Sequence, residues 1–191
     1  MKKLIYIDSC LRAGSRTRRI ADRLIQELSM TYEIETVRLA DSDYPVVDND
    51  ILIARSEGRV PEAYAALARR IAASDRIVIA APFWDMSFPS ALKVFFENMS
   101  LYGITFESNE KECVGLCKAE KVLYITTRGM NISTRDPLEQ ATPYIRAISH
   151  LWGLGELNVI SAQNMDYSSD DEVEAKIQTA INEGLELCQN F

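Results

Sequence analysis

The sequence predicts an α/β fold in three layers: a five-stranded parallel sheet in the order 2-1-3-4-5 with helices on both faces. Three observations predict it. Short apolar runs alternate along the chain with stretches whose apolar residues recur every three to four positions. Five strands separated by helices need crossover connections, which impose parallel pairing and cover both faces of the sheet. Ile34 to Leu39 alternates polar and apolar residues, the pattern of a half-exposed edge strand, which places the second strand at the margin. In that order the winding reverses between strands 1 and 3, so a ligand crevice is expected beyond their carboxyl ends.

The elements follow in order. Leu4 to Asp8 is a buried first strand, and Ser15 caps a helix with Ile20, Leu24, Ile25 and Leu28 on one face. After the edge strand, Pro61 opens a helix to about Ala73, and Ile77 to Ala81 is the most strand-like run of the chain. Pro89 sits where a first helical turn tolerates it, with Leu92, Phe95, Phe96 and Met99 facing inward. Val122 to Ile125 is the fourth strand; Leu138, Ala141, Ile145, Ile148 and Trp152 mark the next helix; Leu157 to Ile160 is the fifth strand. The last helix starts at a capping box, Ser169 to Glu172, and its apolar face is Val173, Ile177, Ala180, Ile181, Leu185 and Cys188.

The 191 residues carry no repeat, linker or low-complexity tract and are expected to form a single domain, 1–191. A net charge of −7 argues against nucleic-acid binding. No apolar run is long enough to span a bilayer, and the opening Met1 to Asp8 is too short and too soon charged for a signal peptide. The cysteines at 10, 113, 117 and 188 have no metal-ligand or disulfide spacing, which points to reduced thiols in the cytoplasm and to no bound metal. The single histidine, His150, makes a Ser-His-Asp mechanism implausible and reads as a packing or interface residue.

Both segments at the expected crevice are unusual. After strand 1 the chain runs Asp8-Ser9-Cys10-Leu11-Arg12-Ala13-Gly14-Ser15-Arg16-Thr17, with hydroxyls, arginines and a glycine ahead of a helix N-terminus. Those groups suit a phosphate dianion, and the loop matches neither the lysine-bearing nucleotide loop nor the dinucleotide fingerprint. After strand 3 comes Ala81-Pro82-Phe83-Trp84-Asp85-Met86-Ser87-Phe88-Pro89. Packing accounts for one or two of its large apolar residues; a flat ligand lying along Pro82 to Met86 accounts for the rest. Phosphate after strand 1 and a planar ring after strand 3 together describe flavin mononucleotide (FMN), which binds at this switch point in the flavodoxin arrangement.

The chain resembles the flavodoxin-like, FMN-dependent NAD(P)H oxidoreductases, the quinone reductase and azoreductase family, from Met1 to about Tyr167. Ser15-Arg16-Thr17 stands at that family's phosphate loop, Ala81 to Met86 at its Pro-aromatic flavin segment, and Ile125-Thr126-Thr127-Arg128-Gly129 at the loop over the pyrimidine side of the ring. Cys10, Asp85 and Met130 stand where serine, asparagine and a second glycine are common. The resemblance implies a tightly but non-covalently bound FMN, NADH or NADPH as co-substrate, and ping-pong transfer to a small quinone, azo or nitro acceptor. It needs no catalytic side chain, because the flavin carries the chemistry.

The implied FMN-binding residues are Ser9, Cys10, Ser15, Arg16, Thr17, Pro82, Phe83, Trp84, Asp85, Met86, Thr127, Arg128 and Gly129. Main-chain N–H groups near Asp85 and Met86 would meet the N5/O4 edge of the ring, and Arg128 with the Gly129 N–H the N1/O2 edge. The resemblance also implies a homodimer, with the long stretch Tyr102 to Lys118 and residues near Met165 and Tyr167 at the partner's flavin. Two alternatives stand beside this reading. Cys10, Arg16 and Asp136-Pro137 resemble the nucleophile, phosphate binder and acid of a low-molecular-weight cysteine phosphatase, and a flavodoxin-like electron carrier would hold FMN without turnover.

Overall fold

The computed structural model describes residues 1–191. Strand β1 (Lys2–Asp8) is buried from Leu4 onward and strand β3 (Arg76–Ala80) along its whole length, because both lie in the middle of a sheet covered on both faces. Strand β2 (Tyr32–Arg38) flanks β1, and the strands that close the other side are β6 (Lys121–Thr127) and β7 (Glu156–Ala162). The sheet order is β2-β1-β3-β6-β7, every pair parallel. This is the expected 2-1-3-4-5 arrangement. Two short strands outside the sheet, β4 (Phe106–Ser108) and β5 (Cys113–Gly115), advance the numbering.

Alternation along the strands divides the core between two faces. Ile5, Ile7, Ile77 and Ile79 pack with Leu67, Ile71, Leu92, Phe95, Phe96, Ile145 and Trp152, from helices α3 (Glu62–Ala72), α4 (Ser90–Met99) and α5 (Ala141–Trp152). Leu4, Tyr6, Val78 and Leu123 pack with Ile20, Leu24, Val173 and Ile177, from helices α1 (Arg16–Leu28) and α6 (Asp170–Cys188). The caps are those expected: the Ser15 side chain accepts from the Arg18 N–H, and Ser169 and Glu172 form a reciprocal box.

Three segments depart from expectation. Helix α2 (Asn49–Ser56), capped by Asp48, buries none of its residues and so left no apolar period to read. Leu138 is an exposed loop residue, and α5 starts only at Ala141, because the Glu139 side chain accepts from the N–H groups of Ala141 and Thr142 there. The stretch after α4 folds as an antiparallel hairpin of β4 and β5, pressed so closely on the end of α5 that a Cβ on Gly115 would lie 1.9 Å from the Gly153 nitrogen.

The parallel register brings the carboxyl ends of β1, β3 and β6 to one edge. Asp8 pairs with Ala80 and Ala80 with Ile125, so the segments that follow these strands are neighbours.

Candidate functional site

The loop after β1 is shaped from beneath. Buried Asp8 accepts from the Cys10 N–H at 2.9 Å and from Arg18 Nε at 3.0 Å, while Arg18 also donates to the Cys10 carbonyl. Arg18 is therefore a strut for the loop rather than a solvated surface charge. Gly14, at φ +69°, takes the left-handed conformation that turns the chain into α1. The N–H groups of Arg16 and Thr17 find no acceptor in the chain, and the helix end carries the partial positive charge that favours an anion. Ser9 Oγ is fully buried in this loop and also has no partner.

Past β3, Trp84 and Ser87 exchange backbone hydrogen bonds of 2.9 and 2.8 Å around a two-residue turn. Its central residues, Asp85 and Met86, have φ of +49° and +66°. Two consecutive non-glycine residues in this region cost about 1–3 kcal/mol each and mark strain stored at a site. Their N–H groups make no hydrogen bond within the chain, nor does that of Gly129 after β6. Phe88 is a core residue, whereas Phe83 and Trp84 are half-buried and Met86 is exposed.

These segments meet in one cleft of about 400 Å³ lined by Arg12, Gly14, Ser15, Arg16, Pro82, Phe83, Trp84, Thr127, Gly129 and Asp166. Of the residues the sequence singled out, Ser15, Arg16, Pro82, Phe83, Trp84, Thr127 and Gly129 reach it, and Asp85 and Met86 form the turn that follows Trp84. Thr17 is buried with its hydroxyl 2.7 Å from that of Thr127, so the pair ties α1 to the end of β6.

Two assignments change. Cys10 is fully buried with its Sγ 3.7 Å from the Ala80 carbonyl, and its N–H is already taken by Asp8, so it has nothing to offer a ligand. Burial pushes its thiol up to about 12, which leaves it unionised at neutral pH. Asp136 lines a different cavity, so the phosphatase constellation is not assembled. Arg128 is also fully buried: it donates to the Ile132 carbonyl and to Thr134 Oγ1, each at 3.1 Å, lies 3.9 Å from Glu139 Oε1, and stacks 5.7 Å from the Phe83 ring centroid. Its guanidinium is engaged inside the loop, and only the backbone N–H of Gly129 remains for the expected contact.

One cleft residue, Asp166, gives no sign in the sequence of its place there, and one loop arginine gains a particular role. Asp166 accepts from Arg16 at 2.8 Å and lies on Gly129, where an added Cβ would come 2.0 Å from Asp166 Oδ2. Residues 150 positions apart in sequence leave no local signal of such a pair. Met165, expected near a partner's site, is instead buried in the core; Tyr167 is exposed. Arg12 is that arginine, one of those the sequence offers to a phosphate. Arg16, Arg18, Arg19 and Arg23 each pair with a carboxylate, and Arg12 has none, which makes it the uncompensated cation of the cleft.

The residues fit FMN. Free N–H groups at the start of α1, the orphaned Ser9 hydroxyl and Arg12 suit its phosphate. The Pro82–Trp84 wall suits a flat ring, and three unpaired N–H groups flank it. No group of His, Cys, Asp and Glu is placed to hold a metal ion.

Comparison with known proteins agrees with this geometry. A family model described as flavodoxin-like fold matches residues 1–187. An FMN-dependent NADH:quinone oxidoreductase from Clostridium beijerinckii is 30% identical over 200 residues, covering all of both chains. Another so named, from Clostridium acetobutylicum, is 30% identical over 202 residues, again covering all of both. The crystal structure of an FMN-dependent NADH-azoreductase from Bacillus anthracis in complex with FMN superimposes with a TM-score of 0.84 at 20% identity, over 100% of this chain and 99% of that one, a likeness of fold.

Proposed function

We propose a function from one premise: this chain belongs to the flavodoxin-like fold family and, within it, to the FMN-dependent NADH:quinone oxidoreductases. It is an FMN-dependent NAD(P)H oxidoreductase, with a quinone or azo compound as acceptor. The observation that carries this reading is the convergence of segments from three adjacent strand ends on one cleft, with the N–H groups of Asp85, Met86 and Gly129 left unpaired around it. Bound FMN supplies the hydride chemistry.

The chain's own residues bind and orient. In this reading the N–H groups of Arg16 and Thr17, with the Ser9 hydroxyl, hold the phosphate, and Arg12 adds the charge-assisted contact. Phe83 and Trp84 wall the ring. The N–H groups of Asp85 and Met86 meet one polar edge and that of Gly129 the other, where negative charge gathers on reduction. The turn at Asp85 and Met86 is pre-set, so its N–H groups meet the ring without reorganisation. Residues 1–191 act as one domain.

The active form is a homodimer. Met86 and Met130 are exposed beside the cleft, Tyr167 follows Asp166 at its rim, and Tyr102 and Val114 are exposed on or beside the β4–β5 hairpin, apolar surface of the kind a partner covers. No helix is long and apolar enough to cross a membrane, and four free cysteines suit the reducing cytoplasm.

Steady-state kinetics tests the function: NADH oxidation with a benzoquinone acceptor should give parallel double-reciprocal lines that require FMN. Aryl phosphate hydrolysis without NADH oxidation would sink it. Light scattering at micromolar concentration should give twice the 21.6 kDa chain mass, and a monomer would contradict the dimer.

A further inference from the structure

The loop over the cleft contains a buried charge pair that the proposed function leaves unused. Arg128 and Glu139 are both essentially inaccessible, 3.9 Å apart, on either side of the connection from β6 to α5. Burying two charges is costly, and hydrogen bonds to the pair offset part of that cost. Here they are made by the terminal nitrogens of Arg128 and by Glu139 Oε1, while Arg128 Nε and Glu139 Oε2 have no partner. Arg128 holds the Ile132 carbonyl and Thr134, while Glu139 Oε1 accepts from Ala141 and Thr142 and sets the first turn of α5.

Each end of the pair leads to the cleft. Arg128 immediately precedes Gly129, whose N–H is free, and its backbone is pinned to the neighbouring strand by the bonds from Arg128 N to the Ala162 carbonyl and from Met165 N to the Arg128 carbonyl. Glu139 precedes Gln140, whose N–H donates at 2.9 Å to the Met86 carbonyl in the strained turn. The two loops that present free N–H groups are thus joined through one buried ion pair. The guanidinium also lies over Phe83, a wall of the cleft, so its charge acts close to the ligand.

We propose that Arg128 and Glu139 are positioning residues for the flavin-facing N–H groups of Gly129, Asp85 and Met86, and that Glu139 also cancels the guanidinium charge at the edge where the reduced ring is negative. The inference rests on FMN occupying the cleft. Neither side chain touches the ring in this arrangement; both act through the backbone and the local field.

Glu139→Gln tests the charge role. The amide oxygen can still accept from Ala141 and Thr142, but the buried cation is no longer balanced, so reduced, anionic flavin is favoured over oxidised flavin. The expected result is a tenfold rise in the preference for reduced over oxidised FMN, an upward shift of about 30 mV in the two-electron midpoint potential. Arg128→Lys tests positioning. It keeps the charge but cannot reproduce the forked contacts to Ile132 and Thr134, so oxidised FMN should bind about tenfold more weakly at an almost unchanged potential. A midpoint potential in Glu139→Gln equal to or below that of the parent overturns the charge role, and parent-like FMN affinity in Arg128→Lys overturns the positioning role. If Glu139→Gln does not fold, Glu139→Asp replaces it: the retained charge predicts a parent-like potential with weaker FMN binding, and a shifted potential contradicts the proposal. A parent protein that binds no FMN at all would instead overturn the proposed function, a result distinguishable from either.

Discussion

Arg16 and Asp166 form a 2.8 Å ion pair across the cleft, linking the first turn of α1 to the segment after β7. Both side chains are substantially exposed, at 40% and 65%, so the pair contributes ~1 kcal/mol or less to stability. Its effect is on charge: it removes Arg16 from the cations available to an anion and leaves Arg12. Asp166→Asn should therefore tighten FMN binding several-fold by releasing Arg16, and Arg12→Gln should weaken it by about tenfold, the equivalent of ~1.4 kcal/mol. Fluorescence titration of apoprotein with FMN reads both, and the Arg12 effect should shrink as salt is raised.

Gly129→Ala should act on the same pair. The new Cβ would meet the far end of the Asp166 side chain, 2.0 Å away, which can swing aside without moving the backbone. The expected cost is a displaced carboxylate rather than an unfolded chain. FMN affinity in Gly129→Ala/Asp166→Asn should accordingly lie close to that of Asp166→Asn alone, a non-additivity that a double-mutant cycle detects.

Thr17→Val should lower stability by about 1–2 kcal/mol, because it leaves the buried Thr127 hydroxyl without the partner now 2.7 Å away. Thr17→Ser, which keeps the oxygen, should restore most of the loss. Denaturant unfolding of the apoprotein measures both.

Cys10 supplies the pH prediction. Its thiol is raised from an ordinary 9.0 to about 12 by burial, so folded protein binds the proton more tightly than unfolded chain. Stability from this group is complete below pH ~9 and is lost as pH rises toward 12. Cys10→Ser should remove part of the alkaline fall in melting temperature while leaving NADH oxidation intact, and the parent thiol should resist alkylation at pH 8.

Local signals were readable in the sequence, and long-range ones were not. Ser15 and the Ser169–Glu172 box are caps, decided within three residues, and the strand order follows from one edge strand among buried ones. The cleft was legible as two unusual segments because fold topology alone places them together. Arg128 was misjudged because an arginine beside a glycine gives no hint that a carboxylate folds back to bury it. Cys10 failed for a similar reason: which way a loop side chain points depends on Asp8 and Arg18 beneath it. Helix α2 has no buried face, so its residues carried no pattern.

The most direct measurement is the visible spectrum of the purified protein titrated with FMN and then, without oxygen, with NADH and a quinone. The expected result is a stoichiometric flavin spectrum that NADH bleaches and the quinone restores. A protein that leaves the spectrum of free FMN unchanged, or a bound flavin that NADH does not bleach, would contradict it.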